Sequence, residues 1–162
     1  MDTYFDLGGY SFPVTTKSTE AQTWFDRGIL WTYGYNHEEA VTCFERAIEA
    51  DPKCAMAHWG AGYASGPNYN MPWDLFDDAG RAAAARAGYT HARKALDLID
   101  GVTGWEAALI RALPMRYPKP DPLDPEAMKA WNASFADAMR EAFDVHPESH
   151  EVRTVFAESL LN

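Results

Sequence analysis

Apolar residues recur at helical spacing along most of the chain, and Gly, Pro and Asn punctuation divides them into successive segments. Ser18-Thr19-Glu20 opens the first, with Ser18 as its N-cap and Ala21 to Tyr33 carrying the periodic apolar face. Gly34-Tyr35-Asn36 breaks it, and Asn36 tolerates a left-handed backbone and can cap the next helix. His37 to Ala50 is that partner helix, ended by Asp51-Pro52. Lys53 to Ser65 and an Ala-rich stretch from Asp77 to Asp100 come next, the latter ended by Gly101. Gly104 to about Arg116, Pro125 to about Val145 and Ser149 to Leu161 complete the pattern. Residues 1–17 hold Gly8-Gly9 and Pro13 among scattered aromatics and read as an irregular arm packed on the first helix. The pattern predicts an all-α fold of about seven helices and no strands.

Within these segments one spacing stands out. Trp24-x2-Arg27-Gly28-x2-Trp31 is followed by Ala40-x3-Phe44-x2-Ala47 and then Pro52, and Gly62 lies 34 positions after Gly28. A glycine lets the paired helix approach closely, Ala40 and Ala47 do the same from the other side, and Phe44 and Trp24 fill the space between. This part of the chain resembles the tetratricopeptide repeat (TPR) family, whose unit of about 34 residues carries that pattern. Arg27 departs from it, standing where the family has Leu; its stem can cover apolar surface while the guanidinium reaches water. The second unit deviates further, with His58 and Ser65 replacing the usual Trp and Tyr. Ala92 and Leu96 follow Ala40 and Phe44 by 52 positions, so this unit holds an insertion of 18 residues relative to the 34-residue spacing. Pro147, five residues after Ala142, recovers the phase.

The resemblance implies a right-handed superhelical stack of antiparallel helix pairs over residues 18–162, with an inserted loop at 66–76. It also implies an interaction module whose concave groove, lined by the first helix of each pair, takes a protein or peptide partner. By position that groove presents Gln22, Phe25, Asp26, Ile29 and Tyr33, then Met56, Trp59 and Tyr63. TPR domains that clamp acidic peptide tails use Lys, Arg and Asn there, and this chain has none at those positions, so an apolar or aromatic ligand fits better. Phe25, Trp59 and Tyr63 are equally well placed to be buried under the arm or the inserted loop. The whole chain is similar to the N-terminal part of longer TPR-containing proteins, which implies no activity. Its last helix, with Val152, Phe156, Leu160 and Leu161, reads either as a cap or as a face covered by the remainder of a longer repeat array.

Charge and composition narrow the partners. With 14 basic against 24 acidic residues the net charge is −10, which disfavours nucleic acid and anionic membrane surfaces. No apolar run is long enough to span a bilayer, and Met1 to Phe5 lacks the basic head of a secretory signal. Cys43 and Cys54 are expected too far apart for a disulfide, as reduced thiols in a cytoplasmic setting. Asn132-Ala133-Ser134 is a glycosylation sequon expected to be inert within a helix.

Candidate chemistry gathers at the insertion. Gly66-Pro67-Asn68-Tyr69-Asn70-Met71-Pro72-Trp73 offers two amides and two aromatics at the end of the groove. Asn68 and Asn70 can donate and accept toward a ligand or, as commonly beside Gly and Pro, satisfy turn backbone. The partner-binding set is therefore Phe25, Ile29, Tyr33, Trp59, Tyr63, Asn68, Tyr69, Asn70 and Trp73. An alternative is a small-molecule- or metal-binding, even enzymatic, variant with its site at the 66–73 loop, His37 and the groove aromatics. There Glu38 or Glu39 would orient His37 as a general base. Cys54 and His58 share a helical face but supply only two of the three or four ligands a zinc or copper site needs, so no metal and no cofactor is assigned. Glu106, Arg111, Asp137 and Glu141 read as a solvated face, and His146 and His150 as turn and cap residues. No Gly-rich phosphate loop, G-x-S-x-G, Cys-x2-Cys or H-E-x2-H is present, so no catalytic residue is assigned either. The loop discriminates the two readings. A docking scaffold leaves it free over an open groove, whereas a ligand-binding chain folds it into a closed pocket with His37 or His58 facing inward.

Overall fold

A computed structural model describes residues 4–122 and 124–162; the first three residues of the expected arm lie outside it. Among the described residues seven α-helices run in chain order: α1 (Thr19–Tyr33), α2 (His37–Ala50), α3 (Ala55–Ser65), α4 (Asp78–Asp97), α5 (Gly104–Arg116), α6 (Pro125–Val145) and α7 (His150–Ser159). Among the described residues there is no strand, only an isolated bridge between Asn68 and Met71 and a 3₁₀ turn at Trp73–Leu75. No helix is long and apolar enough to cross a membrane, among the residues described.

Local chemistry sets the helix ends. Ser18, Asn36, Asp77 and Ser149 each accept a backbone N–H of the first turn, which satisfies donors a helix N-terminus leaves over. Asp124 caps α6 with Pro125 behind it, where a missing N–H costs nothing. α3 starts two residues later than the periodicity predicts, because the Cys54 amide turns back to the Asp51 carbonyl. The left-handed residue at the α1–α2 turn is Tyr35, with φ of 59°, whereas Asn36 stays at −101° and acts only as the cap.

Helix packing follows the chain: α1 on α2, α3 on α4, α5 on α6, with α2 against α3 and α7 against α6. α3 is the hub, also touching α1 and α5, and every residue from Ala55 to Ala64 is buried. A helix enclosed on all sides has no polar face, and small residues (Ala55, Ala57, Gly60, Ala61, Gly62, Ala64) let its neighbours close in. The Phe44 ring is gripped between two glycines. A Cβ on Gly28 would lie 2.6 Å from it, and one on Gly60 only 2.4 Å, so the ring has no room to yield. Gly62 takes the approach of α4 instead: a Cβ there would lie 3.2 Å from His91 Cβ and 3.4 Å from the Ala92 amide nitrogen. Both glycines of the 34-residue spacing therefore face a neighbouring helix.

Two expectations are corrected. Trp24 does not fill the space between α1 and α2; it is half-buried at their edge, with the guanidinium carbons of Arg27 and Arg46 at 4.4 and 4.5 Å from its ring. Glu106 is not solvated but fully buried. Its carboxylate accepts the amides and hydroxyls of both Thr15 and Thr103, at 2.6–2.8 Å, closing the α5 capping box and fastening the arm.

The arm itself lies along the α1 face that the resemblance assigns to the groove. Phe12 is buried beside Phe25 and Trp105, its amide donates to Asp26 at 2.8 Å, and its carbonyl accepts from Gln22 at 2.9 Å. The Val14 amide donates to the same Gln22 side chain. Gln22 and Asp26, expected to line the groove, hold the chain's own backbone here.

Candidate functional site

The inserted segment folds down onto the body and is pinned from below at two points. Arg116 Nη2 donates to the Pro67 carbonyl and Trp73 Nε1 to Asn132 Oδ1 at 3.2 Å, while beneath the loop Tyr117 Oη donates to the Gly62 carbonyl of α3 at 2.9 Å. Gly66 is required where Tyr117 passes: a Cβ there would lie 1.8 Å from the phenol oxygen. Paired amides and carbonyls of Asn68 and Met71 close the tip, and Asn68 Oδ1 accepts from the Asn70 amide at 3.0 Å. The turn-satisfying role of Asn68 is thus real, and its side-chain oxygen is spent there. Asn132 is buried as the Trp73 partner, which removes the sequon from the surface.

Beneath the folded loop lies a cavity of about 70 Å³. Six segments converge on it: Thr32 and Tyr33 from the end of α1, Tyr35 and His37 from the turn into α2, Tyr63 from α3, Pro67 and Asn68 from the loop, Arg116 from the end of α5 and Glu158 from α7. Tyr63 Oη donates to Glu158 Oε2 at 2.8 Å, and the Asn162 amide nitrogen holds the other carboxylate oxygen. Arg116 is 1% exposed, its guanidinium carbon 5.6 Å from the centre of the Tyr63 ring and 5.1 Å from that of Phe135. Its Nε has no hydrogen-bond partner, and among the described residues no carboxylate comes within ion-pair distance.

Burial sets the protonation states. It pushes the Tyr63 phenol well above its usual range, with the neighbouring Glu158 carboxylate adding to the shift. Tyr33 is raised likewise, by burial first and then by Tyr10 and Glu158; its ring is 37% exposed at the cavity mouth. His37 is lowered, mainly by burial, with Glu158 opposing and Arg116 reinforcing the shift. Near pH 7 Tyr33 and Tyr63 are therefore neutral phenols and His37 a neutral imidazole, beside the guanidinium of Arg116 and the carboxyl group of Glu158. The carboxylate that acts on His37 is Glu158, not Glu38, which is exposed, nor Glu39, which accepts from Tyr4 Oη at 2.6 Å.

Of the residues expected to bind a partner, Tyr33, Tyr63 and Asn68 come together here. Phe25 and Ile29 are core, packed under the arm; Trp59 is 1% exposed, stacked on Tyr63 with 4.9 Å between centroids, its Nε1 donating to the Leu109 carbonyl. Trp73 is core as well. Tyr69 and Asn70 are exposed at the loop tip, outside the cavity lining. Sequence reasoning missed Thr32, Tyr35, Arg116 and Glu158. One signal was present for Arg116: it follows Leu109, Ala112 and Leu113 at seven, four and three positions, a charge on the apolar stripe of α5.

Tyr35 adds a backbone argument. An aromatic residue in the left-handed region costs about 1–2 kcal/mol and is retained only where its surroundings hold it. Tyr35→Gly removes the ring at a backbone glycine prefers, so the variant is expected to unfold within about 1 kcal/mol of the parent in urea. A larger loss would place the ring among the residues that hold the turn.

Two other features carry less. A cleft of about 520 Å³ between α5 and α6 is open, and its charged residues Arg111, Asp137 and Glu141 are not buried. His58 turns away from the cavity, with Nδ1 3.4 Å from His91 Nδ1 and Nε2 3.4 Å from the Pro52 carbonyl. The ring centroids are 5.7 Å apart, so the two Nδ1 atoms meet head-on, with less room between them than two metal–imidazole bonds of about 2.0–2.1 Å require. Among the described residues no three His, Cys, Asp or Glu side chains group for a metal, and Cys54 is a buried thiol pushed up to about 11 by its burial. Comparison of the chain with family models, with curated proteins and with solved structures returned no match.

Proposed function

We propose that this chain is a small-molecule-binding variant of the TPR-like helical stack, with its ligand in the cavity under the 66–73 loop. Consecutive pairing of α1 to α7 and close contact at Gly28 and Gly62 support the superhelical arrangement of the repeat family. The observation that carries the binding reading is the folded-down loop, which closes a chamber over His37, Tyr63 and a buried arginine. The partner-docking reading retains Tyr33, Tyr69 and Asn70 as accessible residues, while its other aromatics serve the core. The reading is one of binding, with no cofactor and no catalytic step assigned. Two buried free cysteines support placing the chain in a reducing, cytoplasmic compartment.

Screening the intact protein against a library of amino acids, organic acids, sugars, nucleosides and amines tests this, with thermal shift and amide chemical shifts as readouts. Binding at RT ln(1 + [L]/Kd) raises the unfolding free energy by about 2.7 kcal/mol at a hundredfold excess over Kd, which is several degrees in Tm. The expected hit perturbs the amides of Tyr33, Tyr35 and Asn68. Tyr33→Ala, which opens the mouth without touching the core, weakens it at least tenfold. A library without a single such hit overturns the proposal.

A further inference from the structure

Resting on the cavity reading above, we infer that the ligand is a small zwitterion of about six non-hydrogen atoms, its carboxylate set toward Arg116 and its ammonium toward Glu158. The charge of Arg116 is permanent, since a guanidinium does not deprotonate in proteins. Burying it is costly unless hydrogen bonds and an opposite charge compensate. Compensation here is partial: one carbonyl bond to Pro67, two aromatic faces, and an orphaned Nε. Glu158 lines the same cavity, yet lies beyond ion-pair distance of Arg116 and takes only neutral donors, the Tyr63 phenol and the Asn162 amide. Two opposite charges that share one chamber without touching call for a guest that touches both.

Simpler guests satisfy half of this. An inorganic anion or a plain carboxylate neutralises Arg116 but adds a second negative charge beside Glu158. A plain amine reverses the problem. A zwitterion meets both charges, and the rings of Tyr33 and Tyr35 suit an ammonium group by cation–π attraction. Size is bounded by the volume. At about 10–15 Å³ of such space per water, 70 Å³ holds roughly five waters, which matches glycine or alanine and excludes a peptide terminus.

Four probes of similar size separate the alternatives on the intact chain: L-alanine, propionate, ethylamine and inorganic phosphate, each titrated by amide chemical shift and by Tm. L-alanine is expected to bind at least tenfold more tightly than the other three. Arg116→Gln should weaken L-alanine at least tenfold, and Arg116→Lys, which keeps the charge but not the fork, should recover part of it. Glu158→Gln should bring L-alanine down to the level of propionate while leaving or improving propionate itself. That second variant lies on α7, so it decides the matter even where Arg116→Gln fails to fold. Equal affinity for L-alanine and propionate, tighter binding of phosphate, or indifference to Glu158→Gln would overturn the zwitterion. If all four probes fail while a library hit still perturbs Tyr33, Tyr35 and Asn68, the ligand class falls and the cavity reading stands. Silence from every compound removes both.

Discussion

Glu106→Ala is expected to lower the unfolding free energy by about 4 kcal/mol, since the two backbone amides of Thr15 and Thr103 lose a buried acceptor at about 1–3 kcal/mol each and a charged one is stronger still. The threonine hydroxyls can rotate toward other acceptors; the amides cannot. For a chain of this length the loss corresponds to a fall in Tm of roughly 10 °C. Because the same carboxylate ties the arm to α5, the variant should also become sensitive to proteolysis within residues 4–17. Glu106→Gln keeps one acceptor but turns a second amide donor toward groups that already donate, so it falls between parent and alanine variant. Urea unfolding measures this through the midpoint at unchanged slope. A loss under about 1 kcal/mol would mean the arm is held by Phe12 and the Gln22–Asp26 pair alone.

Glu106 also shows where the sequence stops being readable. Helix positions were legible because apolar spacing and caps are local: α2, α5 and α6 begin on His37, Gly104 and Pro125, where the sequence pattern predicts them. The fate of a charged side chain is not local. Glu106 and Arg116 both sit on the stripe of α5 that carries Leu109 and Leu113, so a helical wheel places them toward the core. Thr103 gives Glu106 a local capping role, but only the arriving arm adds Thr15 to it, and only the folded loop gives Arg116 a carbonyl partner. Likewise Phe25 and Trp59, expected on the groove faces of α1 and α3, lie in the core. What occupies those faces is decided by residues far away in sequence: Phe12 in one case, the Leu109 carbonyl in the other. The cavity was half legible, through His37, Tyr63 and the loop, and the missing half came from α5 and α7, which no repeat spacing links to it.

Acid should destabilise the fold from near neutrality, through three histidines. His37, His58 and His91 each have a pKa below the ordinary 6.5, with burial the largest cause in every case. Around His58, the Pro52 carbonyl opposes the shift while His91 and Lys94 reinforce it; Glu45 opposes it at His91. An unfolded chain with unshifted histidines binds protons that the folded chain refuses, so stability is complete above about pH 7. It falls as pH drops through the unfolded value and keeps falling until the folded values are reached. Each histidine contributes a slope of up to about 1.4 kcal/mol per pH unit in that window. The His58–His91 pair does not behave as two independent groups. The Pro52 carbonyl only accepts, so His58 carries its proton on Nε2 and offers Nδ1 as acceptor to His91 Nδ1–H. A first added proton goes to His91 Nε2 and leaves that bond intact, strengthened by charge. The second must occupy His58 Nδ1, where two N–H groups then face each other at 3.4 Å. Urea unfolding between pH 5.5 and 7.5 should therefore show a slope that His37→Gln reduces through the whole window and His58→Gln reduces mainly at its acid end. A profile that stays flat in the parent, or that neither substitution alters, would show that all three imidazoles protonate without disturbing the packing around them.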